Sequence, residues 1–192
     1  MKNSVKSMVA VAAVALLAFS FTAIVKEKKA IKIDASTVVW RGYKVTGSHE
    51  GNLKLESGNL IFDDGVLTGG DFTMNMTSLT VTDLSGDGKA KLEGHLKSED
   101  FFGVEKHTKS NLVFKTVKAT GKNAYKVTGD LTIKGKTNPV TFDFSVYGSK
   151  ANAFLKVDRT KFDVRYGSSS FFDDLKDKAI YDEFDLVVDL QF

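Results

Sequence analysis

Cysteine is absent from this chain and proline occurs once. The missing thiol excludes thiolate nucleophiles, thiolate metal sites, disulfide staples and lipid attachment to a cysteine. With so little proline and no Ser/Gly/Pro-rich linker, nothing divides the chain, and one domain is the simplest reading. Charge of one sign is also scarce: 27 Lys and Arg face 24 Asp and Glu, a net +3. A nucleic-acid face needs clustered cations. KEKKAIK at 26–32 is the only dense basic run, so no nucleic acid partner is expected. Long apolar runs are confined to one place, MVAVAAVALLAF at 8–19.

That run follows Lys2 and Lys6 and ends in small residues, with Ala18 and Ser20 spaced for cleavage. The pattern reads as a secretory signal peptide over residues 1–20, cleaved after Ser20, which places the protein in the periplasm or outside the cell. A retained membrane anchor is the competing reading, because the apolar stretch can be extended to Val25. Cleavage removes Lys2 and Lys6 and no acidic residue, so the net charge falls from +3 to +1. Residues 21–33 then form an N-terminal extension and 34–192 the folded domain, large enough to hold a core without disulfides.

The dominant signal in that domain is alternation. Val140, Phe142, Phe144 and Val146 alternate with Thr141, Asp143 and Ser145, and Phe72, Met74 and Met76 alternate with Asp71, Thr73 and Asn75. The residues Phe184, Leu186, Val188, Leu190 and Phe192 do the same at the end of the chain. Period two with one apolar side predicts antiparallel strands, one face on a core and the other in water. Asp64-Gly65 predicts a tight hairpin. Further strands are expected near 36–45, 52–57, 111–118, 124–133 and 151–158. Eight to ten short strands in one domain mean a sandwich or a barrel. Between Asp87 and Phe102 the alternation stops, and Leu92 and Leu96 stand one helical turn apart, which predicts a short helix capped by Asp87. A second helical turn is expected near 171–177. The pentapeptide YKVTG occurs at 43–47 and at 125–129. Its flanks do not superpose, so it is read as one strand ending used twice rather than as a duplication.

Residues that could carry chemistry are few. His49, His95 and His107 are the only imidazoles, and no close-spaced pair exists, so no metal is expected. DLSGDG at 83–88 imitates the start of a calcium loop, but Gly94 stands where a bidentate Glu is needed. The Asp63–Asp64 and Asp173–Asp174 pairs do not suggest a converging acid and base, and no nucleophile elbow or phosphate loop occurs. No cofactor and no catalytic residue are expected. What stands out is 15 Phe, which either pack a solid core or line a cavity.

Three stretches carry a resemblance. HLKSEDFFGVEKH (95–107), YKVTGDLTIKGKTNPVTF (125–142) and DRTKFDVRYGS (158–168) resemble the YceI-like family in order and spacing, and WRGYKVTGSHEG with GNLIFDDGVLTGGDFTMNM resembles its N-terminal part. The likeness covers about 34–192. Two departures stand out: KHTKS where family members usually show a Pro, and Lys91 to Gly94 where they often carry an Arg-Asp pair. The resemblance implies a mainly β, antiparallel, lipocalin-like barrel of about eight strands with one or two short helices. It also implies an exported binding protein for a polyisoprenoid or similar long-chain lipid, with no chemistry done on the ligand. Phe72, Met74, Met76, Phe114, Phe142 and Phe144 are the expected apolar lining, and His95 and Arg159 the polar candidates at the mouth. A hydrolase-type enzyme at the mouth, an interaction module with a solid core, and a homodimer remain open alternatives.

Overall fold

Wherever the sequence alternates, the chain is extended. The computed structural model describes residues 26–192, so the expected signal peptide and its cleavage point lie outside the described residues. The strands are β1 (Lys26–Ala30), β2 (Thr37–Lys44), β3 (Gly47–Asp63), β4 (Val66–Val81), β5 (Lys109–Gly121), β6 (Ala124–Ile133), β7 (Lys136–Tyr147), β8 (Lys150–Asp158) and β9 (Ile180–Gln191), with one α-helix, α1 (Gly86–Lys97). In β8 the pattern is strict: Ala151, Ala153, Leu155 and Val157 are buried, while Asn152, Phe154 and Lys156 face water.

Every pairing is antiparallel. The order β3-β2-β9-β8-β7-β6-β5-β4 returns to β3 through the β3–β4 pairing, which closes an eight-stranded barrel. Closure removes the open edges that a flat sheet would leave. β1 falls in the stretch expected to be an extension. It pairs with β3 at 59–63, on the same edge that β2 occupies at 47–52, so the two are pieces of one lane interrupted by a short 3-10 turn at Ile33–Ala35.

Tight turns sit where backbone chemistry allows them. Asp64 and Gly65 both take positive φ, 48° and 76°, the two-residue hairpin geometry that matches strand twist. One end of the barrel carries only such hairpins, at 64–65, 122–123 and 148–149, together with Phe192. It is packed by Leu60, Phe62, Leu67 and Val127, and the Phe192 ring lies 5.7 Å from that of Phe62. The other end carries two long connections. Residues 82–108 hold α1, and residues 159–179 hold 3-10 turns at Arg159–Phe162 and Lys176–Lys178. The second helical turn expected near 171–177 is therefore a single 3-10 turn.

The helix starts two residues earlier than expected. Ser85 is its N-cap, without a side-chain cap bond, and Asp87 lies in the first turn, where its charge suits the helix dipole. Leu96 is buried and Leu92 packs on the core. Glu93 accepts a 2.8 Å bond from the Val81 backbone N–H, which ties the helix to the end of β4. The two YKVTG copies are not equivalent. Tyr43 is the penultimate residue of β2 and Val45 beyond it is exposed, whereas Tyr125 and Val127 are buried in β6 and Gly129 sits inside that strand. A Cβ at Gly129 would come within 2.9 Å of the Val113 carbonyl, so the glycine there serves close strand approach, not an ending.

Candidate functional site

Inward-facing side chains do not fill the barrel. A cavity of about 310 Å³ runs from mid-barrel toward the end that carries α1. β4 contributes Phe72, Met74 and Met76, β5 contributes Phe114, and β7 contributes Phe142 and Phe144; all six of the expected apolar residues line it. Phe114 is the hub, with ring centroids 5.5 Å from Phe72, 5.8 Å from Phe142 and 5.5 Å from Phe144. These tilted and edge-on contacts are the favoured aromatic geometries. Opposite Phe144 stands Ala153, a small residue that leaves space where a larger one would fill it. Met74 and Met76 add flexible, polarisable surface that can follow a guest of irregular shape.

The roof was not anticipated. Phe101 and Phe102, just after α1, close the cavity together with Leu92 and Leu96 of the helix. Their rings are 5.1 Å apart, and Phe102 meets Phe184 of β9 at 6.4 Å. The pair was visible as DFF in the sequence, and its place after an amphipathic turn is the signal that could have assigned it. Trp40, the only tryptophan, also lines the space and donates from its indole N–H to the Thr80 carbonyl at 3.1 Å.

Both polar candidates reach the cavity, in different states. Arg159 is 2% exposed and each of its three guanidinium nitrogens donates to a backbone carbonyl. Nε donates to the Tyr181 carbonyl at 3.0 Å, Nη1 to Val164 at 2.7 Å and Nη2 to Ile180 at 2.9 Å, with Asp182 Oδ1 3.6 Å away. The group clamps the 159–164 turn to the start of β9 and lies 5.5 Å over the Phe101 ring. Burial pushes its pKa below the usual guanidinium value, while Asp182 and Asp158 pull it back up. His95 is different. Its ring packs edge-on against Tyr166 at 4.4 Å and Phe101 at 5.6 Å, and its buried Nε2 has no hydrogen-bond partner.

The other expected features have structural employment. His49 Nδ1 lies 2.8 Å from Asp83 Oδ2, and Asp83 Oδ1 accepts from the Glu50 backbone N–H at 3.1 Å. Burial raises the Asp83 pKa, but these hydrogen bonds outweigh it and leave the carboxyl below its usual range. The acidic start of DLSGDG is thus spent on joining β3 to the exit of β4. Among the described residues no three His, Cys, Asp or Glu gather as a metal site, and no helix is long and apolar enough to cross a membrane.

Known proteins share this fold. The YceI-like domain pattern matches residues 26–192. A UPF0312 protein of Pseudomonas putida (strain W619) is 36% identical over 87 residues, which are 41% of this chain and 45% of that protein. A UPF0312 protein of Staphylococcus aureus (strain USA300) is 47% identical over 60 residues, 31% of this chain and 32% of that protein. The chain thus spans less than half the length of these curated relatives. Among solved structures, Burkholderia cenocepacia BcnA matches with a TM-score of 0.67 at 22% identity, over 83% of this chain and 98% of its own. A polyisoprenoid binding domain from Saccharophagus degradans, implicated in plant cell wall breakdown, matches with a TM-score of 0.57 at 12% identity, over 88% and 99%. At these identities the two structures show a shared fold.

Proposed function

This chain belongs to the YceI-like family, and on that premise we propose that it is an exported binding protein that holds a polyisoprenoid or similar long-chain lipid inside its barrel. The observation that carries the proposal is the cavity itself, roofed by α1, Phe101 and Phe102 and walled by the Phe114 cluster. A guest in such a space gains from area removed from water, about 0.8 kcal/mol per buried methylene. A hydrocarbon chain needs no hydrogen bonds along its length, and these walls offer almost none. The Saccharophagus degradans domain, named for polyisoprenoid binding, has the same fold and supports this ligand class. The basic and apolar N-terminal run supports export to the periplasm or beyond.

The protein acts on the ligand by enclosing it. Near the cavity the Ser110 hydroxyl is bonded to the Thr132 carbonyl and His49 to Asp83, so neither forms a nucleophile–base pair. These contacts favour a carrier over a hydrolase, and the open interior counts against a module with a solid core. The test is direct: express the full precursor, purify the exported protein, extract it with organic solvent and weigh the extract by mass spectrometry. A prenyl or acyl lipid at about one per protein is the expected result. Protein that carries none and fails to take up added polyisoprenoids would sink the proposal.

A further inference from the structure

The polar groups that line the cavity are nearly all spoken for. Tyr43 donates to Asp185 Oδ2 at 2.6 Å, and Asn111 Oδ1 accepts from Thr73 at 3.0 Å. Ser110 and His49 have the partners given above, and Arg159 spends its donors on three backbone carbonyls. At the open end Lys44, last residue of β2, and Glu183, near the start of β9, bring opposite charges. Three buried atoms have no partner among the described residues, Asp182 Oδ1, Asp185 Oδ1 and His95 Nε2, and only His95 belongs to the cavity wall. A buried polar atom without a partner costs about 1–3 kcal/mol, and here it borders an apolar void.

We propose that the cavity takes an uncharged, single-headed amphiphile tail first, with a hydroxyl head bonded to His95 Nε2. This rests on the lipid-binding reading and narrows it to a ligand class. A hydroxyl suits the site because it can donate to a bare imidazole nitrogen or accept from a protonated one, whichever tautomer is present. A phosphate or pyrophosphate head does not suit it. The one buried cation among the described residues already holds three carbonyls, and at the open end Glu183 stands beside Lys44 with a charge that repels a phosphate. Tail-first entry follows from the inner end of the cavity, where Val38, Phe114, Phe144 and Leu190 offer a head no polar partner. The room available sets the enclosed length. An apolar cavity of about 150 Å³ admits one benzene, so about 310 Å³ encloses roughly a dozen carbons, close to a farnesyl chain.

Trp40 makes the test possible without labels, since the only tryptophan lines the cavity. Farnesol, the hydrocarbon farnesene and farnesyl pyrophosphate are titrated against the exported protein, and Trp40 emission gives each Kd. The hydroxyl should make farnesol bind roughly five- to tenfold tighter than farnesene, the worth of one buried hydrogen bond, and farnesyl pyrophosphate should be weaker than farnesol. His95→Leu should erase the gap between farnesol and farnesene, and a gap that persists in this variant would overturn the assignment to His95. His95→Gln, which keeps a hydrogen-bonding group, should retain part of the gap. Equal affinities for farnesol and farnesene in the wild-type protein overturn the inference while leaving the carrier reading intact, as does tighter binding of the pyrophosphate. Failure of all three probes to bind overturns both.

Discussion

Replacing Arg159 by Met removes three charge-assisted hydrogen bonds at once, to the carbonyls of Tyr181, Val164 and Ile180. Hydrogen bonds to a charged group contribute about 1.5–3 kcal/mol each, so the gross loss is roughly 5–9 kcal/mol. Met is cheaper to bury than a guanidinium, which returns part of that sum. Breaking a buried charged group from its partners has a net cost of about 3–5 kcal/mol, and this is the expected loss for Arg159→Met. With a urea m-value of about 2 kcal/mol/M for a domain of this size, the midpoint of urea unfolding should fall by roughly 2 M. Arg159→Lys, which can reach only one or two of the carbonyls, should fall about half as far. The assay is equilibrium urea unfolding followed by far-UV circular dichroism, with Trp40 emission as a second probe. A midpoint within about 0.5 M of wild type for Arg159→Met would refute the clamp and return Arg159 to the ligand. In that case lipid affinity, not stability, should collapse.

Other expectations follow from single positions. Ala153→Phe should fill the cavity and abolish lipid uptake while changing stability by about 1–3 kcal/mol, read by lipid extraction alongside urea unfolding. Gly51→Ala should destabilise by about 3 kcal/mol or more, because its Cβ would stand 1.8 Å from the Thr80 carbonyl oxygen. Gly88→Ala in α1, with nothing within 4 Å, should instead stabilise by up to about 1 kcal/mol, and thermal melts would separate the two signs. Burial raises the pKa of Asp182, but hydrogen bonds from Ser168 and Ser170 and the charge of Arg159 hold it below the usual value. A carboxyl with a depressed folded pKa contributes stability above its unfolded pKa, about 3.9, and loses it as pH falls through the folded pKa. Acid unfolding should therefore set in below about pH 4, and Asp182→Asn should be less stable at neutral pH with a shallower acid limb. An acid limb identical to wild type would contradict this.

The six apolar lining residues were legible because alternation on a strand states which face a side chain takes, and one wall of a barrel has only two faces. The length of the strands was less legible. In the sequence β3 and β4 look like shorter pieces, since register shifts at Asn52/Lys54 and Leu55/Ser57 break the alternation while the ladder continues. β1 left no signal at all, because KEKKA pairs through its backbone and buries nothing. The second YKVTG misled for a similar reason: a glycine inside a strand looks like a turn until the bulge opposite it, between Phe114 and Thr116, is known. At the site, the imidazole and the guanidinium were found by residue type, but their roles were not. Arg159 is defined by carbonyls some twenty residues downstream, on β9, and His95 by the absence of any partner for its Nε2. Neither is written in local sequence.

The position of β9 also governs when the barrel can exist. β2 is made early, yet it lies between β3 and the last strand, with Thr37 opposite Asp189 and Arg41 opposite Asp185. Until Ile180–Gln191 is available, β2 and β8 each have a bare edge and the Phe-rich interior faces water. Contacts of such long sequence separation form late and slowly. Barrel closure is thereby deferred until Ile180–Gln191 has been made, and a chain without it stays open to capture by chaperones. For a precursor that must thread through a membrane unfolded, as the export proposed above requires, a closing stave delivered last is a built-in delay.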